Sequence, residues 1–308
     1  MIYFKNNGNP LIFKNQNRFE LRKWRTTMKI GISTPLPAYK VTAAFIASTA
    51  ETLGFESIWY AEHPVIPVKS SSRFPGSDDG LIPWTYSHFV DPYIALAQAS
   101  GATTTIKLGT GITLIPERNP LVLAKTVSTL DLFSNGRFIM GVGTGWLKEE
   151  TELMGGDFEH RWSQTKESLL ALKELWTKDE AEYHGKYYDF PPVKMFPKPH
   201  QKPHPPILIG GMAKNVLKRI AEVGDGWLPN RVTPQEIESS RKRLDALANE
   251  KGRNPNDITI SVYGQVPDSQ IVGDLFNAGA DRVIVRPDLK ETELEVTSEL
   301  QRIASEVL

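Results

Sequence analysis

What most limits the fold of this chain is a rhythm that begins at Met28. Short runs rich in β-branched residues alternate with longer stretches of helical spacing. Eight runs read as strands: 29–33, 57–60, 106–110, 137–141, 207–209, 226–228, 258–262 and 282–286. The spacing predicts helices over 39–53, 91–100, 120–133, 147–154, 160–177, 213–223, 234–251, 268–278 and 290–306. Strands that alternate with helices imply right-handed crossovers and a parallel sheet. Eight repeats over about 280 residues fit a closed (β/α)8 TIM barrel. An open doubly wound sheet is the alternative.

The repeats form one series, so a single domain over 28–308 is expected. Between the fourth and fifth strands lies an insertion. It holds two helices, a hairpin-like piece around His184-Gly185, and the proline-rich P-P-V-K-M-F-P-K-P-H-Q-K-P-H-P-P. Residues 1–27 differ from the rest: they are rich in Asn, Lys and Arg, with Glu20 as their one acid and no apolar signal-peptide core. A disordered extension or a mis-called start, with Met28 as the natural first residue, is the expectation. A transit peptide is the alternative.

Composition narrows the function. Lys+Arg and Asp+Glu balance at 36 each, so the basic footprint of a nucleic-acid binder is missing, as is a polybasic membrane patch. There are no cysteines, which removes disulfides, thiolate zinc sites and cysteine nucleophiles. No apolar run approaches the ~20 residues that span a bilayer. A cytoplasmic protein acting on a small molecule is expected, without nucleic-acid or membrane partners.

Barrel enzymes build their sites from loops at the C-terminal ends of the strands. One such end is G-R-F-I-M-G-V-G-T-G-W, residues 136–146. A dinucleotide fingerprint needs G-x-G-x-x-G after the first strand. Here the spacing is G-x-G-x-G, Trp146 stands in place of the third glycine, and the run follows the fourth strand. A ligand-admitting strand end and a tight packing turn both fit. Gly210-Gly211 follows the fifth strand and precedes a helix, where backbone N–H groups favour an anion; a permissive turn fits too.

His63, after the second strand in W-Y-A-E-H-P, could donate a hydrogen bond or move a proton near neutral pH, or serve structure alone. Glu62 beside it points the other way on an extended chain. Arg161 opens a helix and could pair with a ligand anion or with nearby glutamates. His200 and His204 have helical metal spacing, but the prolines around them forbid a helix; they read as linker, and no metal site is expected. Loop 64–88 carries Phe74, Trp84 and Tyr86 and reads as a lid or a binding loop. No Walker loop, G-x-S-x-G or H-E-x-x-H is present, and no strand ends in a lysine.

In order, W-Y-A-E-H, K-L-G-T-G-I-T-L-I-P-E-R-N-P, G-R-F-I-M-G-V-G-T-G-W, Y-H-G-K-Y-Y-D-F, P-P-I-L-I-G-G and G-D-G-W-L-P resemble the bacterial luciferase-like superfamily, in particular its coenzyme F420-dependent-type oxidoreductases. The resemblance covers about residues 28–290. It implies a barrel that binds reduced F420, or alternatively FMN, at the C-terminal face. His63 would be the catalytic residue near the ring. Gly111 and Ile112 would buttress one ring face, with a non-proline cis peptide between them. Gly143, Thr144, Gly145 and Trp146 would line the cofactor, and Gly210 and Gly211 would contact its phosphate-bearing tail.

Two residues depart from the family pattern. Glu62 replaces the Asp often found before the histidine, and Trp146-Leu147 stand where some F420 dehydrogenases place an acid. The expected function is hydride transfer to, or oxygenation of, a small apolar substrate. A partner reductase supplying reduced cofactor and a homodimer are the assemblies this implies. A non-catalytic flavin- or F420-binding protein, or an unrelated barrel enzyme of aldolase type, are the rival readings.

Overall fold

The computed structural model describes residues 28–308; the expectation for 1–27 lies outside the described residues. The barrel strands are β1 (Ile30–Ser33), β2 (Ser57–Tyr60), β3 (Lys107–Thr110), β5 (Phe138–Gly143), β8 (Ile207–Gly210), β9 (Gly226–Leu228), β10 (Thr259–Gln265) and β11 (Arg282–Val285). All pair in parallel, in sequence order around the ring, and β3 pairs with β5. That last pairing closes the sheet and removes the doubly wound alternative. A short strand, β4 (Thr113–Leu114), also pairs with β5.

The helices α1 (Ala43–Leu53), α2 (Pro92–Ala102), α3 (Pro120–Phe133), α6 (Val216–Val223), α7 (Pro234–Glu250), α8 (Ser269–Asn277) and α9 (Glu293–Val307) follow strands of the ring. Between β5 and β8 lie α4 (Lys148–Leu153), α5 (Arg161–Thr177) and the antiparallel hairpin β6 (Ala181–His184) and β7 (Asp189–Val193). The proline-rich stretch then returns the chain to the barrel floor, the N-terminal end of the strands. There Gln201 donates to Asp131 and to the Phe138 carbonyl.

Helix starts follow local chemistry. Asp91 and Asn119 cap α2 and α3 ahead of Pro92 and Pro120, and Thr233 and Glu236 form a capping box on α7; each satisfies backbone donors that a first turn leaves free. Helix α1 begins at Ala43 rather than 39, because the Thr42 side chain accepts from Phe45 N.

Two cores result. A large one packs the helices onto the outside of the barrel. A small one fills the inside with Trp59, Ile139, Leu208, Leu228 and Ile284, roofed by Ile112 and Tyr263. The roof explains why the fourth barrel strand runs two residues past its predicted end at Gly141. A β-carbon on Gly143 would lie 1.9 Å from Ile112 Cδ1, so glycine there lets the strand continue under that side chain.

Candidate active site at the mouth of the barrel

His63 leaves the C-terminal end of β2 with its side chain 6% exposed. Its Nδ1 donates to Glu150 Oε2 at 2.6 Å, and the other oxygen of Glu150 accepts from Val65 N at 3.3 Å. With Nδ1 committed to the carboxylate, Nε2 is the ring atom free to hold or pass a proton. Aromatic rings surround the imidazole: Tyr86 at 5.1 Å, Phe89 at 5.8 Å and Trp146 at 5.8 Å between centroids. Phe74 closes the cluster against Tyr86 and Trp146.

Loop 64–88 therefore lies over the mouth. It is fastened to the first turn of α4: Ser71 N, Ser71 Oγ and Ser72 N donate to Glu149 Oε1 at 2.6, 2.8 and 3.2 Å. Hydrogen bonding from Ser72 and Ser71 draws the Glu149 carboxyl down to about 2. Trp84, grouped with Phe74 and Tyr86 in the sequence, instead faces solvent at 56% exposure and meets His88 edge-on.

Glu62 points away from His63, as strand alternation requires. It is buried, and accepts from Leu114 N at 2.7 Å, from Arg118 Nε at 2.7 Å and from Arg118 Nη2. Three donors and no acceptor call for a carboxylate, although burial pushes Glu62 upward against the pull of Arg118. Arg118 also reaches Asp91 at 2.7 Å. The arrangement ties β2, β4 and the cap of α2 together; it is scaffold.

Ile112 follows a cis Gly111–Ile112 peptide. Gly111 lies against the Tyr263 ring, Gly143 under Ile112 Cδ1, and Gly210 against Ile112 Cγ2. The structure thus brings Gly111, Ile112, Gly143 and Gly210 into one apolar ledge at the mouth. Gly145 has φ +77°, and a β-carbon on it would lie 3.0 Å from Thr151 Oγ1 and 3.4 Å from Glu117 Oε1. The space its missing side chain leaves is thus filled by protein atoms, while Thr144 and Trp146 are half-buried beside it.

On the far side of the insertion, Arg161 Nη1 donates to the Phe158 carbonyl at 2.7 Å and its guanidinium covers the Phe158 ring at 3.9 Å. Its Nε is buried without a partner among the described residues. Arg219 faces it closely enough that burial, and then the charge of Arg161, lower the Arg219 pKa. The Arg219 guanidinium lies over the Trp162 ring at 4.3 Å, and Glu222, the acid near it, is bonded to Lys166 at 3.2 Å. Gly211, at φ +93°, has open space where a side chain would stand.

Sequence reasoning missed Glu117 and Glu150, which are 5% and 1% exposed. The signal for Glu150 was the acidic pair Glu149-Glu150 after the glycine run. Glu117 sat unremarked in L-I-P-E-R-N-P.

A closed parallel barrel whose titratable groups gather at the C-terminal mouth is an enzyme architecture. The model of the luciferase-like monooxygenase family matches residues 30–267, and the chain belongs to that family of oxidoreductases. An uncharacterized protein of Mycobacterium tuberculosis is 39% identical over 201 residues, 64% of this chain and 70% of its own. The F420-dependent glucose-6-phosphate dehydrogenase of Amycolatopsis mediterranei is 30% identical over 186 residues, 59% of this chain and 51% of its own. The oxygenating constituent of 3,6-diketocamphane monooxygenase of Pseudomonas putida, in complex with FMN, shares the fold with a TM-score of 0.61 at 17% identity, over 79% of this chain and 68% of that one. Proteins similar to this chain thus include an F420-dependent enzyme and, in fold, an enzyme bound to FMN. No helix among the described residues is long and apolar enough to cross a membrane.

Proposed function

We propose that the barrel mouth binds reduced coenzyme F420 and that His63 serves the transfer of a hydride to a small organic substrate. The observation that carries this is a histidine fixed at Nδ1 by a buried glutamate and walled by aromatic rings, in a member of an oxidoreductase family. Bound there, reduced F420 supplies a hydride, and reduced FMN supplies a hydride or the electrons that activate oxygen.

The residues fit such a group. Ile112, Gly111, Gly143 and Gly210 offer a flat apolar ledge for a ring, with Thr144 and Trp146 at its border. Gly211, Arg161 and Arg219 offer backbone room and unpaired positive charge for an anionic tail. Gly145 supports this wall through its backbone conformation rather than by leaving a void. His63 Nε2 holds or passes the proton that accompanies reduction, Glu150 keeps the ring oriented, and the Phe74–Tyr86–Phe89 cluster excludes water. A separate reductase supplies the reduced cofactor in this reading, and the chain acts as a homodimer.

FMN is the second reading, supported by the fold shared with the FMN-bound monooxygenase. Titration of the purified protein with F420 and with FMN, followed by fluorescence, tests both. Saturable binding of F420 is expected; saturation by FMN alone moves the assignment to FMN, and binding of neither sinks it.

A further inference from the structure

Behind His63 the wall of the mouth holds more acid than its partners can neutralise. Glu62, Glu117 and Glu150 are buried within it, at 4%, 5% and 1% exposure. Arg118 is committed to Glu62 and Asp91, and Glu150 is committed to His63 Nδ1 and Val65 N. That leaves Glu117. Thr151 Oγ1 donates to its Oε1 at 3.0 Å, and Oε2 is buried with no partner among the described residues. A buried carboxylate with no cation, beside another carboxylate, is far less stable than its protonated form.

We propose that Glu117 is a positioning residue that stores a proton behind the His63–Glu150 pair, and that loss of this proton sets the alkaline limit of proton transfer by His63. The groups facing Glu117 are Glu150 and Thr151 from α4, Glu62 from the end of β2, Arg118 from its own segment, and the backbone of Gly145. Burial first, then the charge of Glu150, push the Glu117 carboxyl up to about 8, against the Thr151 hydrogen bond and Arg118. While Glu117 is neutral, Glu150 is the carboxylate in contact with the imidazole, and the charge of Glu62 is balanced by Arg118. Once Glu117 ionises, a buried negative charge with no bonded cation lies beside that of Glu150. Both then hold the proton on His63 more tightly, so His63 gives it up less readily.

This rests on the mouth being the site of chemistry, but its test uses no cofactor. In the full chain, the His63 ring resonance is followed by NMR from neutral to alkaline pH and assigned by its absence in H63Q. A step with a midpoint near 8 is expected in the wild type and is lost in E117Q. A wild type without that step, or an E117Q protein that keeps it, overturns the proposal. If E117Q does not fold, infrared difference spectra of the wild type decide. A buried protonated-carboxyl band that disappears with the same midpoint, and shifts in T151V, supports the proposal, and its absence refutes it. Failure to bind F420 or FMN would leave this result standing, and the reverse also holds.

Discussion

The two ends of the barrel treat buried charge in opposite ways. At the floor, Arg137 donates to the Ser134, Ile106, Ser100 and Thr103 carbonyls and to Thr103 Oγ1. Nearby, Arg282 grips Glu56 through two nitrogens and Ser261 through a third. A cleft of about 300 Å³ between Pro203, His204, Asp225 and Arg282 opens there, but its polar groups are already bonded within the protein. Toward the mouth, Glu117 Oε2 and Gln265 Nε2 are buried without a partner among the described residues. Buried polar groups are normally satisfied, so the arginine networks of the floor mark the end that holds the barrel together, and the leftover carboxyl oxygen of Glu117 marks the wall behind His63 as different.

The largest test of that contrast is at the floor. Arg137→Ala removes donors from four carbonyl groups at once and is expected to lower unfolding stability by about 3–5 kcal/mol, read by chemical denaturation; a loss under about 1 kcal/mol would erase the distinction. At the mouth, His63→Ala should lower kcat/KM by about 10²- to 10⁴-fold while the melting temperature stays within a few degrees of wild type. A collapse in melting temperature would make His63 scaffold.

Glu117→Gln sharpens the comparison through pH. The folded carboxyl titrates at about 8 against an ordinary 4.5, so between those values the unfolded chain loses its proton first and stability falls as pH rises. The variant should therefore gain on wild type from about pH 4.5 to about 8 and hold a constant margin above. A margin independent of pH contradicts the assignment. The smallest effect is expected from Glu149→Gln, which weakens the serine contacts of loop 64–88. Limited proteolysis of that loop should quicken by about fivefold, the equivalent of ~1 kcal/mol, with the global melting temperature little changed.

The barrel was legible because strand–helix alternation is a local signal, repeated eight times. Boundaries slipped where tertiary contact overrode it: Gly143 lies inside β5 because Ile112 packs on it. The position of His63 at the mouth was legible from its place at a strand end. Glu150 was not, because an acid in the first turn of a helix reads as a solvated residue favoured by the helix dipole. Only the packing of α4 against the end of β2 buries it. Glu117 was hidden because nothing local tells a glutamate paired with the arginine beside it from one buried away from it.

The fastening of loop 64–88 to α4 has one more consequence. Glu149 holds the loop and Glu150, the next residue on the same turn, holds His63. The cover and the imidazole are therefore both fastened to one six-residue helix. Two neighbouring carboxylates thus give the loop and the imidazole a shared footing, so the position of this one helix sets both the cover of the mouth and the angle of the ring.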